Sequence, residues 1–195
     1  MSDKAAKKKQ YILDTARGVF STKGFKDVTM KDIVEACDIS RGGLYIYFSS
    51  TEDILVELLK QEMQETDDVF SRNLGDEYTA GDILAIFLKE QKKELLSKKN
   101  NLSIAVYEYL FSLHQKGSTS TDMKNRFKTT VKLISKLIDA GVENGEFYCE
   151  DSEGAARNIM YVLEGLKMAA NTTGVTEKDI DDELLYIMGG LIIEE

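Results

Sequence analysis

The sequence predicts an all-α fold, and three observations carry that reading. Proline and tryptophan are absent, while Leu, Ile, Glu and Lys recur throughout, so nothing breaks the backbone ladder and the common residues are helix formers. Apolar residues return at helical spacing in segment after segment. Segment starts carry Ser or Thr with Asp three residues on (Thr29/Asp32, Ser50/Asp53, Thr79/Asp82, Thr176/Asp179), a pairing that satisfies N–H groups at a helix start. The pattern predicts about nine helices, an N-terminal three-helix body and a larger helical body after it. A chain of 195 residues buries enough core to need neither disulfide nor metal.

The first helix is expected over residues 6–23, with Ile12, Ala16, Val19 and Phe20 on one stripe. Lys4, Lys7, Lys8 and Lys9 precede or open it, as a solvated start or as an arm along phosphates. Gly24 takes the C′ role. Thr29 opens a second helix ending near Cys37, and the N–H groups of Thr29, Met30 and Lys31 offer a phosphate seat. Asp38 sits in the turn, where left-handed backbone tolerates Asp, and Ser40 caps a third segment running to Phe48. There Leu44 and Phe48, four apart, face inward. Arg41, Gly42, Tyr45 and Ile46 project outward, with Gly43 and Tyr47 toward the backbone side.

Two short helices joined by a tight turn over residues 29–48 have the form of a helix-turn-helix, whose second helix enters a DNA groove. Gly42 and Gly43 each cost roughly 1 kcal/mol of helix propensity relative to Ala, and close approach to DNA offsets it. The candidate DNA contacts are Thr29, Lys31, Ser40, Arg41, Gly42, Gly43, Tyr45, Ile46, Tyr47 and Thr51. A linking helix over 51–74 packs Ile54, Leu55, Leu58 and Leu59 on this head. The expected domains are 1–55 and 56–195.

Beyond it, residues 79–96 and 102–116 form the fifth and sixth helices. The sixth is apolar on two sides and so expected to be buried. Its residues Tyr107, Glu108, Phe111 and His114, with Phe87, Glu90, Phe127 and Val131, are the candidate effector pocket. Two acids among aromatics there favour a lipophilic cation, although the plainer account of His114 is a core or helix-end histidine. The seventh helix spans 122–144. Two strongly apolar helices close the chain, over 152–171 and from 176 onward. Their residues Ile159, Val162, Leu163, Leu166, Leu184, Ile187, Met188 and Leu191 need a partner surface, part of which packing within the chain can supply.

Charge divides along the chain. Residues 1–49 hold 9 Lys+Arg against 6 Asp+Glu, net +3, and the remainder holds 16 against 28, net −12, which together give −9. The basic share lies beside the candidate reading helix, where phosphate neutralisation requires it.

The N-terminal third resembles the DNA-binding domain of TetR-family transcriptional regulators. The matching residues are Gly24 and Phe25, Thr29, Asp32 and Ile33, Ile39 and Ser40, Gly42, Leu44, Tyr45, Tyr47 and Phe48, then Ser50, Glu52 and Leu55. The turn glycine of the family is Asp38 here, the lysine that commonly opens the fourth helix is Thr51, and a frequent histidine is Ile46. The resemblance implies a homodimer through a four-helix bundle, which makes the apolar residues of the last two helices, from Ile159 to Leu191, the candidate dimer interface, and a linking helix that acts as a lever between ligand pocket and DNA head.

The expected partners are a double-stranded DNA operator, a small-molecule effector and a second copy of the chain. No catalytic group, cofactor or metal is expected: one histidine and the distant Cys37 and Cys149 form no ligand cluster. With no membrane-spanning run and no paired cysteines, the chain is expected in the cytoplasm. The predicted function is a ligand-responsive regulator, as a repressor. Two alternatives stay open: a non-transcriptional DNA-binding or division-regulating protein on this scaffold, and a helical ligand carrier that binds no DNA.

Overall fold

The computed structural model describes residues 3–72, 78–97 and 101–192. Among them are nine helices: α1 Asp3–Lys23, α2 Met30–Cys37, α3 Arg41–Tyr45, α4 Thr51–Arg72, α5 Ala80–Leu96, α6 Ser103–Gln115, α7 Thr121–Glu143, α8 Ser152–Ala170 and α9 Glu177–Gly189. The one β feature among the described residues is an isolated bridge between Phe147 and Ile192. No described helix is long and apolar enough to cross a membrane. The fold is all-α.

Helix starts follow the caps read from sequence. Thr29 and Thr176 form full capping boxes with Asp32 and Asp179. Thr79 and Asp82 exchange the same bonds, Asp82 N–H to Thr79 Oγ1 at 3.1 Å and Thr79 N–H to Asp82 Oδ2 at 3.1 Å. At α4 the geometry shifts by one residue: Asp53 N–H donates to Ser50 Oγ at 3.1 Å, but the Asp53 carboxylate accepts from Ser49 N–H at 3.0 Å. α8 is capped by Asp151, whose Oδ1 accepts from Gly154 N–H at 2.8 Å. The last two residues of the expected 51–74 helix lie outside the described residues.

By contact the chain divides into two compact units, Met1–Gln64 with Ser97–Ser120, and Glu65–Leu96 with Thr121–Glu195. A single boundary after residue 55 does not anticipate this division. α4 crosses from one unit to the other, and α6 returns to the first, where it packs on α1.

In the first unit Ile12, Leu13, Ala16 and Phe20 of α1 are buried with Ile33, Leu44, Ile54, Leu55 and Leu58. Each leucine, isoleucine or phenylalanine among them contributes roughly 1.5–3 kcal/mol on leaving water. α1 begins at Asp3, so Lys4, Lys7, Lys8 and Lys9 lie on the helix and not on an extended arm. Lys9 pairs with Glu57 of α4 and Lys7 with Asp3.

The second unit has its own core of α5, α7, α8 and α9, in which Leu84, Ile134, Ile138, Ala156, Leu163 and Ile180 are nearly inaccessible. Gly141 lets the chain double back: a Cβ there would overlap the Phe147 ring. Glu146 then caps α5, accepting from Gly81 N–H at 2.9 Å. Lys92 of α5 reaches Glu177 at 2.8 Å and Asp181 at 2.6 Å, pinning the first turns of α9.

Candidate nucleic-acid interface

The head is assembled from three short-range decisions. Thr29 and Asp32 start α2, and Lys23 joins them at 2.5 Å from Asp32 Oδ1. The Lys23 ammonium and the Thr29 hydroxyl and N–H hold the Asp32 carboxyl well below the usual carboxylate range, and Lys23 is raised in return. Asp38 ends α2 in the left-handed region at φ 49°, ψ 51°, where a short polar side chain is tolerated. Ser40 starts α3, its Oγ accepting from Gly43 N–H at 3.1 Å.

α3 is five residues long, shorter than the expected run to Phe48. Phe48 N–H still bonds to Leu44 C=O at 3.1 Å, so the last turn winds on without forming a further regular helix. Leu44 is fully buried and Phe48 nearly so, while Tyr45 is 53% and Ile46 78% exposed. Arg41 and Gly42 are exposed, Gly43 and Tyr47 half-buried. Open space surrounds the Gly42 Cα. An exposed arginine, tyrosine and isoleucine, with the half-buried Tyr47 and backbone without side chains beside them, can meet phosphate, base edge and thymine methyl together.

Several other candidate contacts are already engaged. Thr29 N–H donates to Asp32 Oδ2 at 2.8 Å, and its hydroxyl to the same oxygen at 2.5 Å, so the predicted phosphate seat loses Thr29. Lys31 lies 3.6 Å from Glu35, both well exposed, an arrangement too solvated to hold the lysine back from a phosphate. Thr51 is half-buried at the start of α4.

α6 supplies contacts to the head that the sequence did not announce. Glu108 Oε2 accepts from Phe25 N–H at 2.6 Å and from Lys26 N–H at 2.9 Å. Gly24, at φ 77°, leaves the room this carboxylate occupies. The adjacent Tyr109 packs edge-on against Phe25 at 5.2 Å, and its hydroxyl donates to Glu52 Oε1 of α4 at 2.9 Å. One turn of α6 thus fixes the α1–α2 loop and the start of α4. Far-apart partners explain why no local pattern revealed it, although the Gly24-Phe25 pair marks the receiving loop.

The proposed effector set is therefore divided. Tyr107, Glu108, Phe111 and His114 lie in the first unit, and Phe87, Glu90, Phe127 and Val131 in the second. Glu108 is spent on backbone N–H groups, Phe111 is 56% exposed and His114 is exposed at the end of α6. α6 is buried only along Leu102, Ser103, Ala105 and Tyr109, so the expectation of burial all round is corrected. Phe87 belongs to the second unit's core, and Glu90 pairs with Lys93 at 2.5 Å. With Glu108 engaged and Glu90 belonging to the other unit, the case for a lipophilic cation is withdrawn. Phe127 and Val131 do line a cavity, of about 630 Å³, with Lys124, Lys128, Glu153, Arg157 and Tyr161.

The candidate dimer residues are corrected as well. Ile159, Leu163, Leu166, Leu184, Ile187 and Leu191 are buried in the chain's own core, with Val162 and Met188 packed against it. The apolar residues left outside on and beside these helices are Tyr161, Leu185, Tyr186 and Ile192. A Cβ on Gly165 would point into open space. Among the described residues no group of three His, Cys, Asp or Glu is placed to hold a metal.

Residues 12–58 match the family model described as bacterial regulatory proteins, tetR family, and residues 83–181 match the tetracyclin repressor-like C-terminal domain. The chain is 30% identical over 183 residues to the uncharacterized HTH-type transcriptional regulator YfiR of Bacillus subtilis, covering 88% of this chain and 87% of that protein. It is 25% identical over 136 residues to the fatty acid metabolism regulator protein of the same organism, covering 69% and 68%. Among solved structures it is similar to a TetR-family transcriptional regulator from Agrobacterium tumefaciens, with TM-score 0.79 and 13% identity over 96% of this chain and 99% of that one.

Proposed function

The chain belongs to the tetR family of bacterial regulatory proteins, helix-turn-helix regulators of transcription, and from that premise we propose that it is a homodimeric repressor whose operator affinity is lowered by a small-molecule effector. The observation that carries this reading is the outward face of α3, where Arg41, Tyr45 and Ile46 stand exposed on a stub anchored by buried Leu44 and Phe48. Arg41 and Tyr47 bind phosphate or a base edge, Tyr45 presses on sugar, and Ile46 meets a thymine methyl. Lys31 and Thr51 contact phosphates on either side.

Two such heads, brought together through the outer faces of α8 and α9, read half-sites about one helical turn apart, roughly 34–36 Å. Gly165, Leu185, Tyr186 and Ile192 form that face: aromatic and aliphatic groups around a small residue that permits close approach. Effector binding shifts the heads out of this spacing. To change occupancy substantially it must favour the non-binding arrangement by a few kcal/mol.

Selection of bound duplexes from a random pool tests the reading. A near-palindromic site with half-sites one turn apart is expected, and Tyr45→Ala should fail to enrich it. Recovery of no sequence above background, at low salt, contradicts the proposal.

A further inference from the structure

The geometry points to a binding site for a small hydrophobic monoanion, a carboxylate or sulfonate with an apolar body, in the groove between α7 and α8. It takes from the preceding reading only that an effector exists, and gives that effector a place and a charge. The groove has a volume of about 630 Å³, within the range of small-molecule sites. Phe127 and Tyr161 form its floor, their ring centroids 5.3 Å apart and tilted by 33°, with Val131 beside them.

Its rim is cationic in an acidic setting. Glu65–Leu96 with Thr121–Glu195 carries 12 Lys+Arg against 23 Asp+Glu, net −11. Despite that excess of carboxylates, neither Lys124 nor Lys128 has an ion pair among the described residues, and both are exposed. The groove's one acid, Glu153, is already paired with Arg157 at 3.0 Å. Two positive charges therefore remain uncompensated above an aromatic floor. Of the two, Lys124 also stands by the first turn of α7, where a cation opposes the helix dipole. An anion seated between them relieves both costs.

The class follows from what the groove refuses. A cation meets Lys124, Lys128 and Arg157; a polyanion such as nucleic acid meets the unit's overall negative charge. A single anionic head fits between lysines one helical turn apart, roughly 6 Å along the axis, and its apolar body covers Phe127, Val131 and Tyr161. Lys132 and Lys136 continue the same i, i+4 stripe, exposed but outside the groove.

The test is a fluorescence titration of the full chain with 8-anilinonaphthalene-1-sulfonate, without DNA, so that its failure leaves the DNA-binding reading untouched. Saturable binding is expected, displaced by decanoate and not by decyltrimethylammonium. The Lys124→Gln/Lys128→Gln variant should bind roughly three- to tenfold more weakly, and Lys132→Gln/Lys136→Gln like the parent. Four results overturn the assignment. These are parent-like affinity in the first variant, equal weakening in the second, displacement by the ammonium amphiphile, and absence of saturable binding because a second copy covers the groove.

Discussion

The two units use one set of helix-starting signals for opposite electrostatic ends. Met1–Gln64 with Ser97–Ser120 holds 13 Lys+Arg against 11 Asp+Glu, net +2, whereas the other unit is net −11. In the first, carboxylates are tied to the chain's own donors: Asp32 to Thr29 and Lys23, Glu108 to the α1–α2 loop, Glu52 to Tyr109. Arg41 is left exposed, with no ion pair among the described residues. In the second, the exposed apolar side chains Leu185 and Tyr186 stand on a helix that also carries Asp181, Asp182 and Glu183. Exposed aromatic side chains thus sit in different fields. Those beside cations suit a polyanion, those beside acids suit protein.

Breaking the protein-facing surface should have the largest effect. Leu185→Glu places a charge in the proposed α8–α9 contact and should leave a monomer in sedimentation. Losing the linked second head then lowers operator affinity by about a hundredfold or more. A variant that remains dimeric moves the interface elsewhere.

Loosening the head is the next test. Glu108→Ala leaves the Phe25 and Lys26 N–H groups without their carboxylate, at a cost of roughly 1–3 kcal/mol. Hydrogen exchange should quicken in α2 and at the start of α4 while α8 stays protected. Uniform loss of protection would mean that α6 does not serve the first unit in particular.

The smallest effect concerns acid. Asp32 is held below its ordinary pKa by Lys23 and Thr29, and Asp179 is lowered by Thr176. A carboxyl depressed in the folded state adds stability that is complete above its unfolded value, about 4. That stability is lost as pH falls through the folded value. Asp32→Asn should therefore flatten the acid side of the melting curve between pH 5 and 2 for signals from the first unit. An unchanged slope there counts against the pairing with Lys23.

Much of the head was legible because each decision in it is local. Thr29 with Asp32, Asp38 in the turn and Ser40 before Gly43 are contacts within three or four residues, and the Leu44/Phe48 spacing alone orients α3. What the sequence hid depends on partners far along the chain. The apolar residues of α6 lie on all sides, and only the Glu108 and Tyr109 contacts with Phe25 and Glu52 select which side is buried. The α8 and α9 stripes were legible as apolar, but periodicity names no partner, and Leu163 and Leu184, expected at a dimer contact, pack within their own chain. The outer face is marked by tyrosine and glycine, weaker apolar signals than the leucines within. At the groove, regular spacing of Lys124 and Lys128 was visible, but only folding brought Tyr161 beside Phe127.

The central claim is that the outward face of α3 reads DNA. It is tested most directly by the affinity of Arg41→Ala/Tyr45→Ala for the selected duplex, beside the parent and at matched salt, with sedimentation run on the same samples. Loss of roughly 1–3 kcal/mol per contact with the dimer intact is the predicted result. Parent-like affinity in a folded, dimeric double variant would contradict it.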